Sequence, residues 1–171
     1  MEYEVSDNVL SSEEFRLLQD TMLGPDFPWF YNSHKVGKSY QMEDNNLKNY
    51  QFTHNFYSDH APKSNFISLL LPIINFLDLS AIVRIKANLV PVTDSIIEYP
   101  YHVDAPNFDG ETAVFYVNSN NGYTVFKSGD KIDSVENRML RFNAKLEHTG
   151  TSCTDQKNRC VINFNYYKWT S

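Results

Sequence analysis

The pattern of hydrophobic positions changes period part-way along the chain. Before about residue 80 it is helical and aromatic. Ser11-Ser12-Glu13-Glu14 has the spacing of a capping box, in which a serine hydroxyl serves the backbone N–H three residues on and a glutamate reaches back. Phe15, Leu18 and Met22 follow at helical spacing, which predicts a helix over 12–22 that ends before Gly24-Pro25. Residues 27–31 and 52–57 read as short strands flanking a polar loop at 44–49, and 66–77 as a buried helix kinked or restarted at Pro72. Beyond residue 80 the period becomes two. Strands are expected at 81–92, 96–104, 111–118, 123–127, 138–142 and 159–169, separated by turn residues such as Asn107-Phe108-Asp109-Gly110 and Asn121-Gly122. Helices followed by many short strands point to a sandwich, jelly roll or barrel, and small barrels of this type hold sites at their mouths.

Composition narrows this picture. A chain of 171 residues, 42% hydrophobic and 21% charged, fits one globular domain over 1–171, with 1–80 as an elaboration and 81–171 as the β core. The aromatic share of 15% agrees with a β-rich fold. A net charge of −6 provides no broad cationic surface for a phosphate backbone, so nucleic acid is not an expected partner. The most apolar run, 66–77, is too short and too interrupted to span a bilayer, so no membrane is expected. The acidic opening lacks the features of a secretory signal, and the two cysteines, Cys153 and Cys160, have no Cys-x-x-Cys partner. A cytoplasmic location is the expectation.

Candidate chemistry lies in the second half. His102 and Asp104 stand two apart on the expected strand 96–104, so both side chains project from one face. Alone, that pair is a weak signal. His148, in Leu146-Glu147-His148-Thr149-Gly150, is expected on a later strand. Two imidazoles and one carboxylate from separate strands make a facial triad, which leaves three positions of an octahedral ion open and suits Fe(II). A structural zinc site would be closed and usually cysteine-rich. Arg159 heads the last strand, where Arg159, Val161, Asn163 and Asn165 share one face and Cys160, Ile162, Phe164 and Tyr166 the other. A polar, Arg-bearing face opposite an apolar one is expected where that face lines a cavity for an anion. The remaining residues read more blandly. His34, His54 and His60 are surface or loop residues, with His54 the one placed to face a cleft. Arg84 and Lys86 brace the sheet, and Trp29 with Phe27, Phe30 and Tyr31 forms core or an aromatic rim.

The order His102-x-Asp104, then His148, then Arg159 resembles the Fe(II)- and 2-oxoglutarate-dependent dioxygenases, whose fold is a double-stranded β-helix of the jelly-roll type. The string His102-Val103-Asp104-Ala105-Pro106-Asn107-Phe108-Asp109-Gly110, followed by Phe115-Tyr116-Val117-Asn118, is similar to the prolyl-hydroxylase-like branch. Arg84-Ile85-Lys86-Ala87-Asn88-Leu89, with His148-Thr149-Gly150-Thr151 and the small size, resembles the stand-alone oxygenases of marine bacteriophage genomes. The resemblance covers roughly residues 81 to 168 and implies a mainly β fold with N-terminal helices bracing the sheet. It implies that His102, Asp104 and His148 bind Fe(II), and that Arg159 pairs with the C5 carboxylate of 2-oxoglutarate, assisted by the Tyr116 hydroxyl. Thr124 and Asn88 are counted with the same pocket, while Val90 stands where that branch often has a second co-substrate tyrosine. The implied reaction uses O2, with ascorbate as an auxiliary reductant. It couples oxidative decarboxylation of 2-oxoglutarate to succinate with hydroxylation of a C–H bond. A protein or peptide residue, proline first, is the implied substrate, with free amino acids and other small metabolites close behind, in the host cytoplasm if the chain is viral. Selectivity is expected in residues 25–60 and 105–110. The alternatives are a metal- and dicarboxylate-binding jelly-roll module without turnover, acting as sensor or structural unit, and a cupin-type isomerase or hydrolase. The last leaves Arg159 without a role.

Overall fold

The capping box forms as read. Ser11 Oγ accepts from the Glu14 N–H at 3.3 Å, the Glu14 carboxylate accepts from the Ser11 N–H at 3.0 Å, and helix α1, Ser12–Leu23, follows. It buries Phe15, Leu18 and Met22. The computed structural model describes residues 3–35, 48–104 and 107–169. The polar stretch 44–49 and the loop 105–110 lie partly outside them.

Helix α2, Leu71–Leu77, starts afresh after a 3-10 turn over Asn65–Leu70. Pro72 sits in its first turn, where a missing N–H leaves no hydrogen bond unmade. The strands are β1 (Tyr3–Ser6), β2 (Phe30–Asn32), β3 (Gln51–Ser58), β4 (Ala61–Pro62), β5 (Leu79–Pro91), β6 (Glu111–Tyr116), β7 (Tyr123–Phe126), β8 (Lys131–Asp133), β9 (Arg138–Asn143), β10 (His148–Gly150) and β11 (Asn158–Lys168). They build an eight-stranded sheet in the order β1-β9-β6-β11-β5-β3-β2, with β4 attached to β3, and a three-stranded sheet β10-β7-β8. The fold is mainly β, of jelly-roll type and without a closed barrel. The first eighty residues are more than a helical preface, since four of their strands belong to the large sheet.

One expected strand is absent. Residues 96–104 form only isolated bridges, Glu98 to Thr151 and His102 to His148. Pro100 lies between them and has no N–H to continue a ladder.

Both helices cover one face of the large sheet. Phe15, Leu18, Met22, Ile73 and Leu77 join Ile85 and Ala87 of β5, Ala113 and Phe115 of β6, and Cys160, Ile162, Phe164 and Tyr166 of β11 in one core. By the alternation of a strand, the odd-numbered residues of β11 and the even-numbered residues of β5 face away from that core, toward the small sheet. His54 shows the same rule at work. It stands on the core side of β3, where its Nδ1 meets the Pro28 carbonyl at 2.8 Å and its Nε2 the Ser64 hydroxyl at 2.7 Å, so it braces the core and lies on the side of the sheet away from the small sheet. Trp29 is likewise a brace, donating from Nε1 to the Met22 carbonyl at 3.0 Å.

The N-terminal strand is tied down through Asn137, which is buried with a left-handed φ of 58°. Its carboxamide accepts from the Leu10 N–H and donates to the Leu10 carbonyl, both at 2.9 Å. Asn137→Ala leaves both Leu10 groups unpaired in the interior and removes a residue type that tolerates this φ. At roughly 1–3 kcal/mol for each orphaned group, urea unfolding should show a loss of at least about 2 kcal/mol.

Candidate active site

The space between the two sheets is a cavity with about 590 Å³ free of atoms, counting its open mouth. Asn88 and Val90 of β5, Val114 of β6, Thr124 of β7, His148 and Gly150 of β10, and Arg159, Val161 and Asn163 of β11 line it, with His102 at its rim.

His102, Asp104 and His148 converge there, each offering one ligand atom, all within 4.8 Å of one another. The backbone makes this meeting. His102 and His148 exchange N–H···O=C bonds in both directions at 3.0 Å, clamping the irregular segment 96–104 onto β10. Each imidazole then turns its Nδ1 to the carbonyl two residues earlier, Pro100 at 3.2 Å and Leu146 at 2.9 Å. A proton held at Nδ1 by a carbonyl places the lone pair on Nε2, the tautomer a metal requires. Burial holds the His148 pKa below its ordinary value, so the ring is neutral near pH 7. Burial alone would raise the Asp104 pKa, but the polar and charged groups around it, His102, His148 and Arg84, outweigh that effect and keep the carboxylate ionised. Its Oδ2 accepts from Asn165 Nδ2 at 3.1 Å, while Oδ1 lies 3.7 Å from His102 Nε2 and 3.7 Å from Arg84 Nη2. Asn165 is itself fixed by donating to Thr112 Oγ1 and accepting from Arg84 Nε, both at 3.0 Å. Arg84 therefore braces, as the sequence suggests, and what it braces is Asp104. Two imidazoles and one oriented carboxylate on a shared face fit a divalent ion of the Fe(II) type.

Deeper in the cavity lies Arg159, only 3% exposed. Its Nε donates to Ser134 Oγ at 2.8 Å and its Nη2 to Thr124 Oγ1 at 3.0 Å. Among the described residues no carboxylate lies within ion-pair distance of it. A buried cation without a counter-charge fits an anionic ligand. Two glycines make room for the side chain, because a Cβ at Gly150 would lie 3.0 Å from Nη1 and one at Gly122 would lie 2.8 Å from Cδ. Tyr116 supports the arginine from behind the cavity wall. Its ring lies 5.7 Å from the guanidinium carbon, and its hydroxyl donates at 2.8 Å to the same Thr124 oxygen that accepts from Arg159. The hydroxyl thus reaches the arginine through Thr124. That oxygen accepts twice, which leaves the Thr124 proton for a ligand. Asn88 also lines the cavity, and its Oδ1 is buried without a hydrogen-bond partner among the described residues.

The sequence gives no signal for two further cavity residues, Lys35 and Tyr99. The Lys35 ammonium hydrogen-bonds the Tyr99 hydroxyl and lies 3.6 Å from the centre of that ring. Tyr99 brings a phenol to the pocket from the irregular segment, in a cavity where Val90 brings none.

No family model matches the sequence, and no curated protein matches it. Solved structures do. A prolyl hydroxylase from Trichoplax adhaerens, in complex with a hypoxia inducible factor oxygen degradation domain peptide fragment, superposes with a TM-score of 0.65 at 13% identity, over 96% of this chain and 83% of that one. The chain shares its fold. A viral collagen prolyl hydroxylase from Paramecium Bursaria Chlorella virus-1, in its 2OG complex, gives 0.60 at 14% identity, over 96% and 95% of the two chains. SnoN, a non-heme alpha ketoglutarate dependent epimerase from nogalamycin biosynthesis, gives 0.65 at 13% identity, over 98% and 76%.

Burial, and next the charge of Arg159, bring the Lys35 pKa down to about 7. The ammonium, and its attraction for an anion, is present below that pH and lost above it. Binding of a carboxylate anion in this cavity should therefore weaken as pH rises from about 6 to about 8, with proton uptake on binding above pH 7. Calorimetry in buffers of different ionisation enthalpy reads both effects, and Lys35→Met should flatten them.

Proposed function

We propose that the chain is an Fe(II)- and 2-oxoglutarate-dependent oxygenase that hydroxylates a C–H bond. The observation that carries this reading is one cavity lined by His102 and His148, with Asp104 clustered beside them, and by the buried Arg159 guanidinium, which has no counter-ion among the described residues. His102 Nε2, a carboxylate oxygen of Asp104 and His148 Nε2 would hold the metal. Bound there with 2-oxoglutarate and O2, the iron supplies the oxidising power for oxidative decarboxylation and C–H hydroxylation.

The protein's own part is positional. Arg159 receives the distal carboxylate of 2-oxoglutarate, Thr124 adds a hydroxyl donor whose oxygen is already engaged by Tyr116 and Arg159, and Lys35 adds positive charge. Asn165 and Arg84 hold Asp104 against rotation. Apolar Val90, Val114 and Val161 keep part of the wall dry, which strengthens the charge pairing inside. A peptidyl C–H bond, prolyl in the first instance, is the finer reading that the family resemblance favours, and one neighbour of the same fold was solved with a peptide fragment.

Succinate formation from 2-oxoglutarate with added Fe(II) tests the proposal. His102→Ala and Asp104→Ala should each abolish it while circular dichroism shows an unchanged fold. A protein that binds neither Fe(II) nor 2-oxoglutarate would overturn the reading. Arg159→Met should weaken 2-oxoglutarate binding about 100-fold, roughly 2.7 kcal/mol, the scale of a lost charge-assisted bidentate pair. It should also raise the thermal midpoint of the unliganded protein, because removing a buried, uncompensated charge relieves its desolvation cost.

A further inference from the structure

Two cations share one end of the cavity, and among the described residues no carboxylate lines that end with them. Tyr99 joins the small sheet through its N–H, which donates to the Gly150 carbonyl at 3.4 Å. Gly150 in turn lies against Arg159, where a Cβ would stand 3.0 Å from Nη1. The Lys35 ammonium hydrogen-bonds the Tyr99 hydroxyl and lies 3.6 Å from the centre of that ring, so this chain of contacts brings the lysine to the Arg159 end, where the guanidinium charge acts on it. The other ionisable groups there are Tyr99 and Cys153. Burial pushes the phenol up to about 12 and raises the thiol as well, so neither supplies a negative charge near pH 7.

Of the two cations, only the lysine can reverse its charge. Arginine stays protonated in proteins, whereas a neutral primary amine can add CO2. Its lone pair attacks the carbon, an N–C bond forms, one C=O bond opens onto oxygen, and one N–H proton leaves for solvent. The product is a carbamate anion, and no oxidant or reductant is needed. A half-buried carbamate is costly unless a cation meets it, and Arg159 is a buried cation still waiting for an anion. The like-charge pair of Lys35 and Arg159 would become an ion pair, with the Tyr99 hydroxyl placed to donate to a carbamate oxygen. The reactive form is also abundant. With its pKa brought down to about 7, first by burial and next by Arg159, about half of Lys35 is free amine at neutral pH, against roughly one in 2,500 for an ordinary lysine.

We propose that Lys35 is a CO2-binding site whose carbamate pairs with the Arg159 guanidinium. The modification stands on the charges of the cavity and needs no metal. Its consequence rests on the oxygenase reading, in which oxidative decarboxylation of 2-oxoglutarate releases CO2 into this same cavity. A carbamate on Lys35 takes the guanidinium that the distal carboxylate of the next 2-oxoglutarate requires. Accumulated CO2 is then a reversible competitor of the co-substrate, and the competition strengthens as pH rises through about 7, where free amine replaces ammonium.

The test uses the full chain without metal, near pH 8, with carbon-13 bicarbonate and dissolved CO2. Triethyloxonium esterifies carbamates, and peptide mass spectrometry locates the ester. Lys35 should be trapped about ten-fold or more above the exposed Lys127 and Lys145, and Lys35→Arg should lose the corresponding carbon-13 carbamate resonance. Acetylation of Lys35 by acetic anhydride reads the free amine alone. Normalised to that rate, the trapped carbamate should fall about five-fold or more in Arg159→Met, with circular dichroism reporting the fold. Trapping of Lys35 no greater than that of the exposed lysines, or a normalised carbamate indifferent to Arg159→Met, overturns the inference. Neither result touches the oxygenase reading, because no iron or co-substrate is present. Conversely, a protein that carbamylates Lys35 as expected but binds neither Fe(II) nor 2-oxoglutarate keeps the CO2 site and loses only its role as a competitor.

Discussion

The site depends on the pair of backbone hydrogen bonds between His102 and His148. They join an irregular segment of the chain to the small sheet at a single point. Because each residue both donates and accepts there, the separation and the mutual tilt of the two backbones are fixed, and the imidazole centres come to lie 5.0 Å apart. The carbonyls of Pro100 and Leu146 then select the ring tautomers. Two residues on from His102, Asp104 falls within reach of Asn165 of β11, so the third donor is anchored to the large sheet. The triad thus spans the gap between the sheets and holds the cavity mouth to a defined shape.

Arg159 poses the opposite problem. A guanidinium taken wholly out of water costs stability unless it is paired, and here its hydrogen bonds among the described residues go to hydroxyl groups. The surroundings tolerate this through small residues. Gly122 and Gly150 leave space along the side chain, while Ser134, Thr124 and the face of Tyr116 orient the fork without neutralising it. The charge is kept available at the expense of the empty protein's stability, a common arrangement where the ligand completes the electrostatics.

Much of this was legible in the residues. The capping box placed α1, and the alternation along β11 correctly divided Cys160, Ile162, Phe164 and Tyr166 from Arg159, Val161, Asn163 and Asn165, because strand period is a local property. The pairing of His102 and Asp104 survived even though 96–104 is not a strand, since residues two apart in an extended chain still lie on one side. What escaped depends on distance in three dimensions. Lys35 enters the cavity from a remote segment with no periodic signature. The end of the Tyr116 side chain stops at Thr124, a detail set by the depth of the wall between them. His54 was misjudged because neighbouring aromatic residues left the parity of β3 ambiguous until its pairing with β5 was known.

The two-sided character of β11 and β5 has an evolutionary consequence. Stability is written on one set of alternate positions and ligand recognition on the other, along the same two strands. Substitutions at Val161, Asn163 or Asn88 can change what the cavity accepts while the packing of Ile162, Phe164, Ile85 and Ala87 is left alone. A scaffold arranged this way can drift between substrates through single changes without first acquiring extra stability.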